Sequence, residues 1–167
     1  MRKFLLVLFL VGLTAPLCAQ IVETLPEVEV LGLHFKYLDA MGDDLDTPVA
    51  VKRLHKKVGS YDILATDLYD HVFDEYQFTF EIPEGKILAT YDKEGELLWT
   101  VEKFKNVKLP YNVAKMVAQE YPGWTFDKTF YTINYNERSG AVKKYKVIIS
   151  KDGKKKRIVL NPEGDVL

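Results

Sequence analysis

The sequence predicts an α+β fold of two tandem units, each a short helix packed on an antiparallel β-meander, and three observations carry that expectation. YQFTFEIPEGKILATYDKEGELL, residues 76–98, overlays YKVIISKDGKKKRIVLNPEGDVL, residues 145–167, without a gap. Apolar and polar residues alternate through the first strand of both stretches, which is the period of a half-buried strand. Upstream of each, a proline opens a run with apolar residues at helical spacing.

Residues 1–19 read as a secretory signal peptide. Arg2 and Lys3 give a positive start, Phe4 to Leu13 an apolar run, and Leu17, Cys18 and Ala19 the exit. The run is about half of the roughly 20 residues that a membrane-crossing helix needs, so no retained anchor is expected after cleavage. A lipid anchor on Cys18 would want a small residue before the cysteine, where Leu17 stands. Cleavage after Ala19 leaves a chain without cysteine, exported to the periplasm or the cell exterior and held together by packing.

Residues 20–47 are read as an N-terminal strand, VEVLGLHF, and a linker. The first unit spans 48–98: Pro48 opens PVAVKRLHKKVGS, whose stripe is Val51, Leu54, His55 and Val58, and Gly59 ends it. Asp46 or Thr47 is the expected cap. DILATDLYDHVF, 62–73, is expected as a strand, then a hairpin turning at Pro83–Gly85 and closing at Asp92–Gly95. Residues 99–108 form a connector strand leaving the first sheet, with Trp99 as a core plug at the junction.

The second unit spans 109–167. Pro110 opens PYNVAKMVAQEYPG, with Val113, Met116 and Val117 on one stripe and Pro122-Gly123 as the stop. WTFDKTFYTINY, 124–135, is a strand, NERSG a turn, and the final hairpin turns at Lys151–Lys154 and closes at Asn161–Gly164. The repeated turn thus marks the last hairpin of each unit. Two units too small to bury their helices alone can share a core.

These residues carry a resemblance. LPYNVAKMVAQEYPGWTFDKTFYTINY, followed by YKVIISKDGKKKRIVLNPEGDVL, resembles the bacterial PepSY-like family, also called β-lactamase-inhibitor-like: Leu-Pro, a short helix, Tyr-Pro-Gly, strands and a closing Asp or Asn-x-x-Gly turn. The first unit departs from that pattern, with KVGS at 57–60 where Tyr-Pro-Gly is expected. The resemblance implies an exported helix-on-sheet module, often duplicated and mostly without assigned activity. It implies no inhibition of β-lactamase, since no inhibitory loop matches and the disulfides of that inhibitor type are absent.

Charge is split along the chain. With Arg2 and Lys3 gone with the leader, 21 basic residues face 24 acidic ones. Residues 20–100 carry 7 Lys and Arg against 17 Asp and Glu, and 101–167 carry 14 against 7. A basic half can mean an anionic partner. Export argues against nucleic acid, and lysines such as Lys154, Lys155, Lys156 and Arg157 read as edge residues that keep a strand unpaired.

Chemistry has few places to sit. His34, His55 and His71 stand in unrelated contexts, and neither a nucleophile elbow nor a phosphate-cradling glycine loop is present, so no catalytic residues and no cofactor are expected. His55 reads as a core histidine on its helix stripe. The one metal candidate is TDLYDHVFDEY, with Asp67, Asp70, His71, Asp74 and Glu75; strand alternation would split these ligands between faces. Asp43, Asp44 and Asp46 lack the glycine and spacing of a calcium loop.

The leading expectation is therefore a non-enzymatic module binding a protein or peptide of the cell envelope through an outer sheet face. If the helix packs on the Trp124, Phe126 and Phe130 side, Tyr131, Ile133 and Tyr135 point outward, beside Ile148 and Val159. The other unit, the N-terminal segment or a homodimer mate would otherwise cover that face. A small-ligand or metal-binding module at residues 67–75 is the alternative, and an unrecognised carboxylate enzyme the third.

Overall fold

The structure, a computed structural model, describes residues 33–42 and 47–167. The expected signal peptide, Val28–Gly32 of the expected N-terminal strand, and Asp43, Asp44 and Asp46 lie outside the described residues. The elements in order are α1 (Phe35–Met41), α2 (Val49–Gly59), β1 (Glu75–Ile82), β2 (Gly85–Asp92), β3 (Leu97–Lys105), α3 (Tyr111–Glu120), β4 (Thr125–Asn136), β5 (Gly140–Lys151) and β6 (Lys154–Leu160).

The class is α+β, with all six strands in one antiparallel sheet of order β1-β2-β3-β4-β5-β6. Residues 97–105, expected to lead away from a first sheet, instead pair with β2 on one side and β4 on the other. A strand with hydrogen-bonding groups on both edges satisfies them best between two neighbours, so β3 joins what would have been two sheets. Trp99 is accordingly half-buried on the sheet rather than a plug between bodies.

The two proline-opened helices form where their stripes place them. α2 buries Val51, Leu54, His55 and Val58, and α3 buries Val113 and Val117. In both, the proline itself is the N-cap and, among the described residues, no side chain caps the helix, so Thr47 does not play the expected role. Pro fits there because the first amides have no intrahelical partner to lose. Within the stretch read as strand and linker, the described residues 35–41 form a helix, α1: Tyr37 and Met41, four residues apart, share the buried face of its two turns.

Residues 62–73 also depart from expectation. They run as turns, with the Asp62 carboxylate accepting from the Leu64 amide (3.0 Å) and the Thr66 hydroxyl donating to the Ile63 carbonyl (2.7 Å). Short polar side chains satisfied by nearby backbone outcompete a ladder. The two closing turns match in detail. Gly95 (φ 85°) and Gly164 (φ 100°) donate to the carbonyls of Asp92 (3.1 Å) and Asn161 (3.2 Å).

One face of the sheet is the core. Following the register, Phe80, Ile87, Glu102, Ile133 and then Tyr131, Tyr145 and Leu160 lie on the same side, and the buried residues of α1, α2 and α3 join them in one cluster. Among the described residues no helix is long and apolar enough to cross a membrane.

Candidate binding face

The expected outward set is divided by the structure. Tyr131, Ile133 and Tyr135 are 4, 0 and 3% exposed, inside the core with Tyr145 and Val147, so they line no free surface. Tyr131 stacks on Tyr145 with ring centroids 4.5 Å apart, and Tyr37 meets Tyr135 edge-on. Ile148 and Val159 are half-buried on the opposite face.

The cause is a bulge in β4. Phe126 pairs with Ile149, yet Lys128, not Asp127, pairs with Ile148. One extra residue reverses which side chains face the core for the rest of the strand. Trp124 and Phe126 therefore share the core side with Thr129, Tyr131, Ile133 and Tyr135, while Phe130, Thr132 and Asn134 turn outward. Asp127 is held at the bulge by the Ser150 hydroxyl (2.6 Å) and Lys155 (3.4 Å). The Ser150 bond, with Lys155 assisting, keeps its carboxyl below the usual range.

The face away from the helices is built from cross-strand rows. One row runs Thr79, Leu88, Val101, Asn134, Val142. The next runs Glu81, Lys86, Lys103, Thr132, Lys144 and a third Lys105, Phe130, Lys146, Val159. These side chains are half-buried or exposed. Among the described residues, none of Lys86, Lys103, Lys105, Lys144 or Lys146 has a carboxylate oxygen within 4.0 Å. The Lys146 ammonium sits 4.3 Å from the centroid of the Phe130 ring.

A cleft of about 440 Å³ opens on this face, lined by residues 81–86 around the β1–β2 turn, Lys103–Lys105, Phe130, Thr132 and Lys146. A second hollow, about 250 Å³, adjoins it and shares Lys86 and Lys103, with Leu88 and Val101 on its floor. Lysines that the sequence reading did not single out are brought together here. Their signal was alternation: Lys86 with Leu88, Lys103 with Val101, and Lys144 and Lys146 with Ile148 each keep to one face of a strand.

The acidic loop does not assemble as a metal site. Asp70 accepts from the Val72 amide (3.1 Å) and the Tyr76 hydroxyl (3.0 Å), His71 takes a left-handed φ of 61° and packs its ring on Tyr69, and Asp67, Asp74 and Glu75 are exposed. Among the described residues no three His, Cys, Asp or Glu gather to hold a metal ion.

A different cluster is buried under the helices and was not singled out from sequence. Glu102 of β3, 0% exposed, accepts from the Tyr37 hydroxyl (2.8 Å) and the Thr100 hydroxyl (2.8 Å), and His55 Nε2 lies 2.7 Å from its other oxygen. Burial, then the charge and hydrogen bond of Glu102, push the Tyr37 phenol well above its ordinary range. The group is buried and its hydrogen bonds are met from within, so it ties α1 and α2 to the sheet.

No protein-family model matches the chain, and no curated protein matches it. Among solved structures it is similar to a DUF2874 family protein from Bacteroides ovatus ATCC 8483, with 16% identity, 75% of this chain and 86% of that chain covered, and a TM-score of 0.36. A likeness of that extent says nothing of activity.

Proposed function

We propose that the chain is an exported, non-enzymatic binding module of the PepSY-like kind, whose open sheet face takes a protein or peptide of the cell envelope. The observation that carries this reading is a sheet face on which the rows of Leu88, Lys103 and Phe130 are half-buried or exposed among the described residues. Apolar cross-strand neighbours such as Leu88 and Val101 lie there beside lysines with no carboxylate partner among the described residues. Apolar area left in water together with unpaired like charge is what association relieves.

The leader at residues 1–19 supports export, and the matched turns at Asp92–Gly95 and Asn161–Gly164 support two related units. The non-enzymatic part of the reading is supported by the Glu102 cluster, whose polar groups are turned to holding α1 and α2 on β3.

Affinity capture tests it. Mature residues 20–167 are exposed to envelope extract beside a Val101→Thr/Phe130→Thr variant, both checked for cooperative melting. Saturable recovery of one component by the native chain alone is expected; equal recovery by both would move the site off this face. Dimerisation through the face would instead appear as a concentration-dependent mass that the variant loses.

A further inference from the structure

We infer that the cleft beside the β1–β2 turn recognises an extended acidic peptide segment in which carboxylate and apolar side chains alternate. This rests on the reading of the open sheet face as the binding surface and names the chemistry of what binds there. Lys86 and Lys103 are direct cross-strand neighbours, an arrangement that repels. Lys105 and Lys146 flank Phe130 in the next row. Glu81, the neighbour of Lys86, and Glu84 at the turn are the acids of the cleft wall, and neither lies within 4.0 Å of these ammonium groups. A cluster of like charge retained on a packed sheet is relieved by carboxylates from outside.

Shape narrows the class. The cleft reaches from β1 to β5, about 19 Å at about 4.8 Å per strand step, which is the length of about six extended residues. Its floor is apolar, with Phe130 in the main cleft and Leu88 and Val101 in the adjoining hollow, so a ligand needs apolar side chains between its charges. Leu88, Val101 and Phe130 are half-buried while Lys86, Lys103 and Lys105 are exposed, and this mixture of apolar groups between projecting charges suits an extended chain with side chains of both kinds better than the planar surface of a bilayer. Single-stranded nucleic acid is read by rows of stacking aromatic rings and by arginine, whereas the cleft's cations are all lysine and Phe130 is the one ring on its open side.

The test is fluorescence anisotropy with the mature chain, residues 20–167, and a labelled ten-residue peptide of alternating Glu and Val. The same peptide with Lys for Glu, a ten-nucleotide oligothymidylate and phosphatidylglycerol vesicles run in parallel. Saturable binding of the acidic peptide alone is expected, weakening as salt rises. Lys103→Glu/Lys146→Glu should lower its affinity about tenfold or more. Lys103→Gln/Lys146→Gln serves if the reversal disturbs folding.

Failure of the acidic peptide to bind, while capture through Val101 and Phe130 persists, would overturn this inference and leave the binding face standing. Tighter binding of the oligonucleotide or vesicles, lost on lysine reversal, would replace the partner class. Peptide binding unchanged by either lysine variant would overturn the site, and loss of both capture and peptide binding by the native chain would remove the face with it.

Discussion

Glu102 ties two of the three described helices to the sheet. A buried carboxylate is tolerated only when its lone pairs are met, and here a phenol, a hydroxyl and an imidazole from α1, β3 and α2 meet them. Glu102→Ala strands those three partners and should destabilise the fold by about 3–5 kcal/mol, read as a lower urea midpoint. Glu102→Gln, which keeps the shape and part of the bonding, should lose less. Equal, small losses in both would mean that the cluster contributes little.

Two buried phenols set an alkaline limit. Burial first, and Glu102 second, raise Tyr37; burial raises Tyr91, whose hydroxyl donates to the Val58 carbonyl (3.3 Å). A folded-state pKa above the unfolded value of 10.0 means that the native chain holds protons which the unfolded chain releases. That stability is fully present below pH 10 and declines as pH rises beyond it. Tyr91→Phe should flatten the decline, which denaturation midpoints across the alkaline range would reveal; an unchanged slope would count against this origin.

Among the elements, α1 and α2 meet through a glycine. A Cβ on Gly59 would come within 2.5 Å of Leu38 Cγ, so the helix ends close only because nothing projects there. Ala is the better helix former by about 1 kcal/mol, yet overpacking of this kind costs about 1–3 kcal/mol. Gly59→Ala should therefore destabilise. In a Leu38→Ala background the same substitution should become neutral or stabilising, a reversal that a double-mutant cycle of melting temperatures would detect.

The strand elements show where legibility stopped. The hairpins were readable because Pro83–Gly85, Asp152–Gly153 and Asp92–Gly95 carry residues suited to tight turns. The bulge at Asp127 was not, because an acid within an alternating run looks like an ordinary outward residue. Its consequence reached Tyr131, Ile133 and Tyr135 and moved the candidate site from those residues to the lysines, Phe130 and Val101 opposite. A hint was available in Phe126 and Tyr131, aromatic residues on opposite beats of one strand.

At the scale of the molecule, the pairing of β3 with β4 makes the six strands one antiparallel sheet over one core. Trp99 on β3 and Trp124 beside β4 stand on either side of that junction. Single-tryptophan variants, Trp99→Phe and Trp124→Phe, should report coincident unfolding midpoints in urea once each is compared with its own circular dichroism. Separate midpoints within one variant would mean that the halves unfold independently.

What the sequence determined by itself was local: the α+β class, two proline-opened helices with their buried stripes, and the hairpin turns, all written in neighbouring residues. What only the tertiary structure decided was non-local. It set β3 between β2 and β4, joined Glu102 to Tyr37 and His55 across the sheet and two helices, and chose the open face through one extra residue in β4. Alternation tells which side chains share a face, but which face meets a helix depends on every register step between them, and a single bulge reverses it.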